Sequence, residues 1–156
     1  MITCEFEDSN KSSLRHVVTD VILVKDDKIL LVRRSEKITE GGKWAIIGGY
    51  VARDEVIITA AKREVKEEAG WTVNDLTLFR IIDNPIRGKE NRQNISFVYF
   101  AQPDTKVGEP DWEVTETNWF PLDALPEKEE LAFDHYESIQ MYKDYLINSR
   151  NLPIIG

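Results

Sequence analysis

The feature that most constrains the fold is a segment in which a glycine pair, a helix-forming stretch and another glycine follow one another. Gly48 and Gly49 end a short apolar run, and Asp54 can cap a helix that is predicted from about Glu55 to Ala69. Gly70 follows at the position where a residue in the left-handed conformation ends a helix. The sequence therefore predicts a strand, a loop and a helix in that order.

Three carboxylates lie close together on this predicted helix. At about 100° per residue, Glu64, Glu67 and Glu68 fall within a sector of roughly 100°. A glutamate cluster is commonly a solvated helix face, but here a neighbouring sector is apolar and the opposite one is polar. The apolar residues are Ile58, Ala61, Val65 and Ala69, and the polar residues are Thr59, Lys62 and Lys66. The carboxylates are therefore expected beside a buried edge, where their repulsion needs a cation to offset it.

The ligand types in this segment favour one kind of metal. Carboxylate oxygens without a nearby histidine or thiolate are suited to magnesium or manganese and argue against zinc. The carbonyl of Gly48 can add a fourth oxygen, because a glycine pair lets the main chain approach an ion closely. Arg63 precedes Glu67 by four residues and is expected to orient that carboxylate. Such an arrangement can polarise a phosphoryl group and activate water.

Strands and one further helix are predicted around this segment. Residues 15–25 and 28–33 are rich in β-branched residues and predict a hairpin, with Asp26 and Asp27 in its turn. Further strands are predicted at 76–83, 94–101 and 116–120, and apolar residues at helical spacing predict a helix over 131–149. This order indicates an α+β fold or an α/β sandwich.

Size and composition indicate one globular domain. The chain has 156 residues, of which 42% are hydrophobic, so we expect a single domain over 1–156 with residues 1–14 as an N-terminal arm. The net charge of −8 argues against broad binding to nucleic acid or to an anionic membrane. The sequence contains no secretory signal or apolar span, and Cys4 is its only cysteine, so the cytoplasm is the expected location.

The segment around the predicted helix resembles the Nudix box of the Nudix hydrolases. The matching positions are Gly49, Glu55, Arg63, Glu64, Val65, Glu67, Glu68 and Gly70, whereas Trp71 stands where the family usually has an aliphatic residue. The resemblance implies an α/β/α sandwich with a mixed central β-sheet. It also implies Mg²⁺-dependent hydrolysis of a nucleoside diphosphate linked to another moiety, with Mn²⁺ as the alternative ion. The implied metal ligands are Glu64, Glu67, Glu68 and the Gly48 carbonyl, while Arg63 orients a ligand and Glu55 anchors the site.

The resemblance leaves the general base open, because in such enzymes it is a glutamate of the box or of a later loop. Glu67 is preferred here, and Glu113 and Glu116 are the candidates on the later loop. The residues predicted to take part in catalysis are Glu67, Glu64, Arg63 and Glu116. His135 is interpreted as a structural residue at the start of the last helix, since nothing else in the sequence suggests a histidine base.

Two segments, 118–122 and 131–135, resemble the ADP-ribose pyrophosphatase branch of the family. ADP-ribose or a related nucleotide sugar is therefore the expected substrate. Its phosphates or distal ribose are predicted to be bound by Arg33, Arg34, Arg87 and Arg92. The alternatives are a sanitising hydrolase of nucleoside triphosphates and a non-catalytic, ligand-sensing module. A homodimer is a further prediction, since family members often build the pocket across two subunits.

Overall fold

The computed structural model describes residues 2–86 and 93–156. The strands are β1 (Ile2–Glu5), β2 (Lys11–Leu14), β3 (Val17–Lys25), β4 (Lys28–Arg34), β5 (Trp44–Ala45), β6 (Ile47–Tyr50), β7 (Leu76–Ile82), β8 (Ile95–Ala101), β9 (Val114–Pro121) and β10 (Ile154–Ile155). The helices are α1 (Ile57–Ala69) and α2 (His135–Ile147), with a short 3-10 helix at Lys128–Glu130. Within the described ranges, neither helix is long and apolar enough to cross a membrane.

Eight of the strands in the described part of the chain form one mixed sheet. Its order is β10-β7-β8-β3-β4-β5, with β6 paired to β3 and β9 paired to β4. β3 pairs in parallel with β8, as β10 does with β7, and the remaining pairs are antiparallel. β3 is buried along most of its length, and its sequence is apolar apart from the buried Thr19 and Asp20 and the exposed Lys25 at its end.

The two helices cover opposite faces of this sheet. Val21 and Leu23 of β3 belong to the apolar cluster that contains Val65 of α1, whereas Ile22 belongs to the cluster that contains Ile139 of α2. This division follows from the alternation of side chains along a strand. The predicted α/β/α sandwich with a mixed central β-sheet is therefore confirmed.

The hairpin of β3 and β4 confirms its prediction. Asp26 and Asp27 have φ angles of 51° and 57°, as a two-residue turn of type I′ requires. The strands predicted at 76–83, 94–101 and 116–120 correspond to β7, β8 and β9. The segment predicted as an N-terminal arm contains two strands, since β1 and β2 pair as a separate antiparallel sheet.

The start of α1 corrects two expectations. The helix begins at Ile57 with Val56 as its N-cap. Asp54 therefore does not cap it, and residues 54–56 belong to the loop. Ile58, predicted in the apolar stripe, is 43% exposed. The buried face of α1 differs from the predicted one, because it includes Glu64 and Glu68 and excludes Ile58. Carboxylates therefore lie on the buried side of the helix.

The start of α2 also differs from its prediction. The helix begins at His135 and not at Leu131. Leu131 instead forms a bridge with Trp44, and the N–H of Ala132 donates to the Trp44 carbonyl at 2.8 Å. Phe133 has a φ of 54°, which is incompatible with a right-handed helix. Contact with β5 therefore keeps this segment non-helical until His135.

Trp71 is accommodated at the end of α1 by aromatic and cationic neighbours. Its ring centroid lies 6.4 Å from that of Trp119, and the rings meet edge to face. The ammonium groups of Lys25 and Lys106 lie 5.8 and 5.9 Å from the centre of the indole. The aromatic residue at this position is thus part of the packing and leaves the carboxylate face of α1 unaffected.

Candidate active site

Two glycines of β6 leave space that two carboxylates occupy. A Cβ on Gly48 would lie 2.4 Å from the carbonyl oxygen of Thr19 and 2.5 Å from Asp20 Oδ1. A Cβ on Gly49 would lie 2.3 Å from Glu64 Oε1. A side chain at either position therefore requires a neighbour to move. Gly49 in particular allows the carboxylate of Glu64 to come directly against the main chain of β6.

The guanidinium of Arg63 uses all five of its N–H groups. Nε and Nη2 donate to the two carboxylate oxygens of Glu55, each at 3.0 Å. Nη1 donates to Glu64 Oε1 and to Glu67 Oε2, both at 2.8 Å, and Nη2 also donates to the Tyr50 carbonyl at 3.0 Å. The bond with Glu55 is the main cause that raises the pKa of Arg63, and it lowers the pKa of Glu55. The expected contact between Arg63 and Glu67 is thus present within a larger charged network.

Glu64 and Glu68 are buried carboxylates. Desolvation raises the pKa of Glu68 to about 8 and also raises the pKa of Glu64. Glu68 Oε2 accepts a hydrogen bond from the Gly48 N–H at 3.0 Å, which ties the helix to β6. Glu67 is more open, with 46% of its side chain exposed. Neighbouring carboxylates removed from water in this way are favoured partners for a cation.

These carboxylates line one pocket together with a distant loop. The described residues that line it are Gly48, Gly49, Tyr50, Arg63, Glu64, Glu67, Glu68, Asp111 and Glu113. Desolvation is the largest cause that raises the pKa values of Glu64 and Glu68, and the negative charge of Glu113 is a smaller cause in the same direction. The carboxylate of the loop therefore faces those of α1.

The structure does not bring Glu116 to this pocket. Glu116 lies on β9 directly opposite Arg33 of β4, and Arg33 Nη1 lies 3.7 Å from Glu116 Oε2. Cross-strand neighbours on one face of an antiparallel pair meet in this way, so the register of β9 accounts for its position. Of the two loop glutamates predicted from sequence, Glu113 and not Glu116 lines the site.

Comparison with known proteins identifies the family to which this arrangement belongs. The family model described as the NUDIX domain matches residues 14–142. The chain belongs to the NUDIX family. An ADP-ribose pyrophosphatase from Methanocaldococcus jannaschii is 34% identical over 133 residues, which cover 83% of this chain and 72% of that protein.

Two further Nudix proteins show how widely the similarity extends. The 8-oxo-dGDP phosphatase NUDT18 from Homo sapiens is 30% identical over 120 residues, which cover 74% of this chain but only 35% of that protein. The crystal structure of a MutT NUDIX hydrolase from Burkholderia pseudomallei matches with a TM-score of 0.71 and 26% identity, covering 82% of this chain and 98% of that chain. The chain is therefore a Nudix hydrolase in both fold and sequence.

The donor chemistry of the Nudix pocket fits a hard divalent cation. Among the described residues that line it, the charged side chains are carboxylates and one guanidinium, and none is a histidine or cysteine. In the described ranges, no three side chains of histidine, cysteine, aspartate or glutamate are already arranged to hold a metal ion. Arg63 contacts Oε1 of Glu64 and Oε2 of Glu67. Arg63 thus contacts one oxygen of each of these two carboxylates, which would hold the ion.

The arginines predicted to bind substrate are placed in different ways. Arg33 and Arg34 each donate from Nε to a main-chain carbonyl in the loop after β4, at 3.0 and 2.8 Å. Desolvation raises the pKa of Glu68, and the positive charge of Arg34 partly opposes that rise. The guanidinium of Arg34 therefore lies close enough to interact electrostatically with Glu68. Both side chains brace the loop, and their role in binding stays a prediction. Arg87 and Arg92 lie outside the residues that the structure describes.

His135 occupies the structural position interpreted from the sequence. It is buried at the start of α2, where Nδ1 accepts a hydrogen bond from the Ile46 N–H at 3.2 Å and Nε2 lies 3.8 Å from Asp20 Oδ1.

Sequence reasoning missed Asp111, although an aspartate two residues before a candidate glutamate is a signal for a side-chain turn. It also missed the carbonyl of Tyr50, for which no residue type gives a signal.

Proposed function

We propose that this Nudix hydrolase cleaves the pyrophosphate bond of a nucleoside diphosphate linked to another moiety, with ADP-ribose or a related nucleotide sugar as substrate and Mg²⁺ as the ion. The observation that carries the proposal is the pocket in which Glu113 faces the buried carboxylates of α1. The relative named ADP-ribose pyrophosphatase supports the substrate, because it is 34% identical over most of both chains. Mn²⁺ is the alternative ion, since it also takes carboxylate and carbonyl oxygens.

In this proposal the carboxylates hold the ion and Arg63 holds the carboxylates. The residues that would bind the ion are Glu64, Glu67, Glu68 and, through its carbonyl, Gly48. When bound, the ion supplies charge neutralisation for the diphosphate and activation of a water molecule. Arg63 orients Glu64 and Glu67 before substrate arrives, which is a form of preorganisation. Because its N–H groups are already paired, Arg63 acts through these carboxylates.

We assign the proton-accepting role to Glu113. The attacking water loses a proton as its oxygen forms a bond to one phosphorus, while the bond from that phosphorus to the bridging oxygen breaks. Glu67, preferred from sequence, is assigned here to the ion, and its Oε2 already accepts a hydrogen bond from Arg63 Nη1. Glu113 lines the same pocket from the loop before β9. With ADP-ribose the products are AMP and ribose 5-phosphate.

A second candidate is a sanitising hydrolase of nucleoside triphosphates or of oxidised nucleotides. The relative named 8-oxo-dGDP phosphatase is 30% identical to this chain, although the chain spans 35% of its length. A carboxylate pocket of this kind serves any diphosphate, so both substrate classes use the same site. The ligand-sensing alternative is less favoured here, because Arg63 and the carboxylates that the resemblance implies for catalysis share one pocket.

A substrate panel separates these possibilities. The purified protein is assayed with Mg²⁺, with Mn²⁺ and with a chelator, on ADP-ribose, other nucleotide sugars, nucleoside triphosphates and 8-oxo-dGDP. The proposal expects equal amounts of AMP and ribose 5-phosphate from ADP-ribose. A triphosphate substrate would release a nucleoside monophosphate and pyrophosphate instead. If no diphosphate compound is hydrolysed under any condition, the enzymatic proposal fails and the sensing module is favoured.

Matched substitutions test the site itself. Glu68→Gln removes a carboxylate that would bind the ion and is expected to lower kcat by at least about 10²-fold. Glu129→Gln is the control, because Glu129 is exposed on the short 3-10 helix and the substitution makes the same chemical change. Glu113→Gln and Glu67→Gln are compared in a pH profile, and loss of the acidic limb only in Glu67→Gln would reassign the base to Glu67.

A cytoplasmic location and a homodimeric assembly stay predictions. Cys4 is a free cysteine, which suits a reducing compartment. Light scattering coupled to size-exclusion chromatography measures the assembly directly, and a mass near the 18.0 kDa of one chain would contradict the dimer.

A further inference from the structure

The loop before β9 carries Glu113 into the pocket, and a neighbouring residue controls its position. We propose that Asp111 is a positioning residue, whose side chain and main chain together fix the main chain of Glu113 so that its carboxylate faces Glu64 and Glu68. This inference rests on the proposed function, in which Glu113 accepts a proton. It assigns to Asp111 a role through Glu113 and no direct contact with substrate.

The side chain of Asp111 holds the N–H of Glu113. Asp111 Oδ1 accepts that hydrogen bond at 2.9 Å, which forms a turn closed by the aspartate side chain. The Asp111 carbonyl also accepts a bond from the Val114 N–H at 3.3 Å, so a main-chain turn spans the same residues. Two turns of this kind restrict the dihedral angles of residues 112 and 113. They therefore determine the direction in which the Glu113 side chain leaves the main chain.

The same loop is tied to the two elements that border the pocket. The N–H of Asp111 donates to the Glu67 carbonyl at 2.9 Å. That carbonyl is one of the last four of α1, which have no acceptor role within the helix. The carbonyl of Glu113 accepts a bond from the Ser35 N–H at 2.7 Å, just after β4. Both main-chain polar groups of Glu113 are thus paired, one through Asp111, while Asp111 itself is fastened to α1.

A competing role for Asp111 is that of a charged member of the pocket, because it lines the pocket too. The two roles differ in their response to asparagine. Asparagine keeps the Oδ1 that accepts the Glu113 N–H and forms the same kind of turn, but it carries no charge. Alanine removes both the acceptor and the charge. The pair Asp111→Asn and Asp111→Ala therefore separates positioning from charge.

Steady-state kinetics on the best substrate of the panel give the first readout. Asp111→Asn is expected to keep kcat within about threefold of the wild type, whereas Asp111→Ala lowers kcat roughly 10- to 100-fold with little change in KM. In a Glu113→Gln background, Asp111→Ala should add less than about threefold, because it acts through Glu113. Asp104→Ala is the control, since Asp104 lies earlier in the loop and bonds to Thr72. An Asn variant as impaired as the Ala variant would overturn the proposal.

Amide hydrogen exchange gives a second readout that needs no substrate. The Glu113 amide is expected to exchange slowly in the wild type and in Asp111→Asn, and at least about tenfold faster in Asp111→Ala. Unchanged protection in Asp111→Ala overturns the proposal whatever the enzymatic activity. If the exchange rates change as expected but no diphosphate is hydrolysed, the positioning of Glu113 is supported and the proposed function alone fails.

Discussion

Gly49→Ala is expected to displace one carboxylate while β6 stays in place. The new Cβ would lie 2.3 Å from Glu64 Oε1, 2.6 Å from Cδ and 2.8 Å from Oε2, whereas ordinary contact begins at 3.4 Å. The carboxylate of Glu64 therefore has to move by about 1 Å. Only the end of a flexible side chain is in the way, and the φ of Gly49 lies outside the left-handed region, so alanine fits the main chain.

The size of the effect follows from this displacement. A shift of about 1 Å breaks the bond to Arg63 and is expected to lower kcat roughly 10²-fold, which corresponds to about 2.7 kcal/mol in the activation barrier. The free energy of unfolding should fall by only about 1 kcal/mol. Gly48→Ala is the contrasting variant, because its Cβ would lie 2.4 Å from the carbonyl oxygen of Thr19. Main chain within the sheet cannot yield, so we expect a loss of about 3 kcal/mol in stability there.

The assay combines kcat on the best panel substrate with urea unfolding of each variant. Gly49→Ala is also measured in a Glu64→Gln background, where it should add less than about threefold to the loss if Glu64 is the affected group. Wild-type kcat in Gly49→Ala refutes the reasoning. A full loss of about 10²-fold in both backgrounds would refute it as well, because the effect would then not pass through Glu64.

Three further predictions concern the cation, the network of Arg63 and the end of α1. Mg²⁺ should raise the melting temperature of the wild type in scanning fluorimetry and have a smaller effect on Glu68→Gln, because only the native state forms the site; an equal rise in both would contradict Glu68 as a ligand. Glu55→Gln should destabilise the protein at neutral pH, and its difference from the wild type should shrink as the pH falls below 4.5, because the folded pKa of Glu55 is lowered by Arg63 and the stabilisation is lost on protonation. Urea titrations at several pH values measure this difference in the free energy of unfolding, and a difference that stays constant with pH would contradict the prediction. Lys106→Met should lower the free energy of unfolding by about 0.5–1 kcal/mol, because Lys106 Nζ donates to the Ala69 carbonyl at 2.9 Å at the negative end of α1; unchanged stability in urea would contradict this capping role.

The elements that sequence reasoning predicted are those whose causes lie within a few residues. Helical spacing alone puts Glu64, Glu67 and Glu68 on one side of α1. Gly70 ends that helix with a φ of 66°, as a glycine at this position predicts. Asp26 and Asp27 supply the turn of the β3–β4 hairpin in the same local way. Each of these predictions depends on neighbours no more than about four positions away.

Predictions that depended on where a segment packs were less accurate. The capping residue of α1 was misplaced because the loop before it is held by Arg63 through Glu55 and the Tyr50 carbonyl. The start of α2 was misplaced because Leu131 pairs with Trp44. In both cases a contact with a distant part of the chain overrides the local preference for a helix.

The sequence by itself thus determined a helix with three carboxylates, a glycine pair before it and the family to which the chain belongs. Only the tertiary structure decided that Glu64 and Glu68 are buried, that Glu113 rather than Glu116 joins them, and that Asp111 lies beside the site. Glu113 and Glu116 look alike in the sequence, as acids of one polar stretch. They differ because the register of β9 on β4 directs Glu116 toward Arg33, while hydrogen bonds to α1 and to the end of β4 hold Glu113 at the pocket. Sheet register and loop docking join residues that are far apart in the chain, and no local periodicity encodes such contacts.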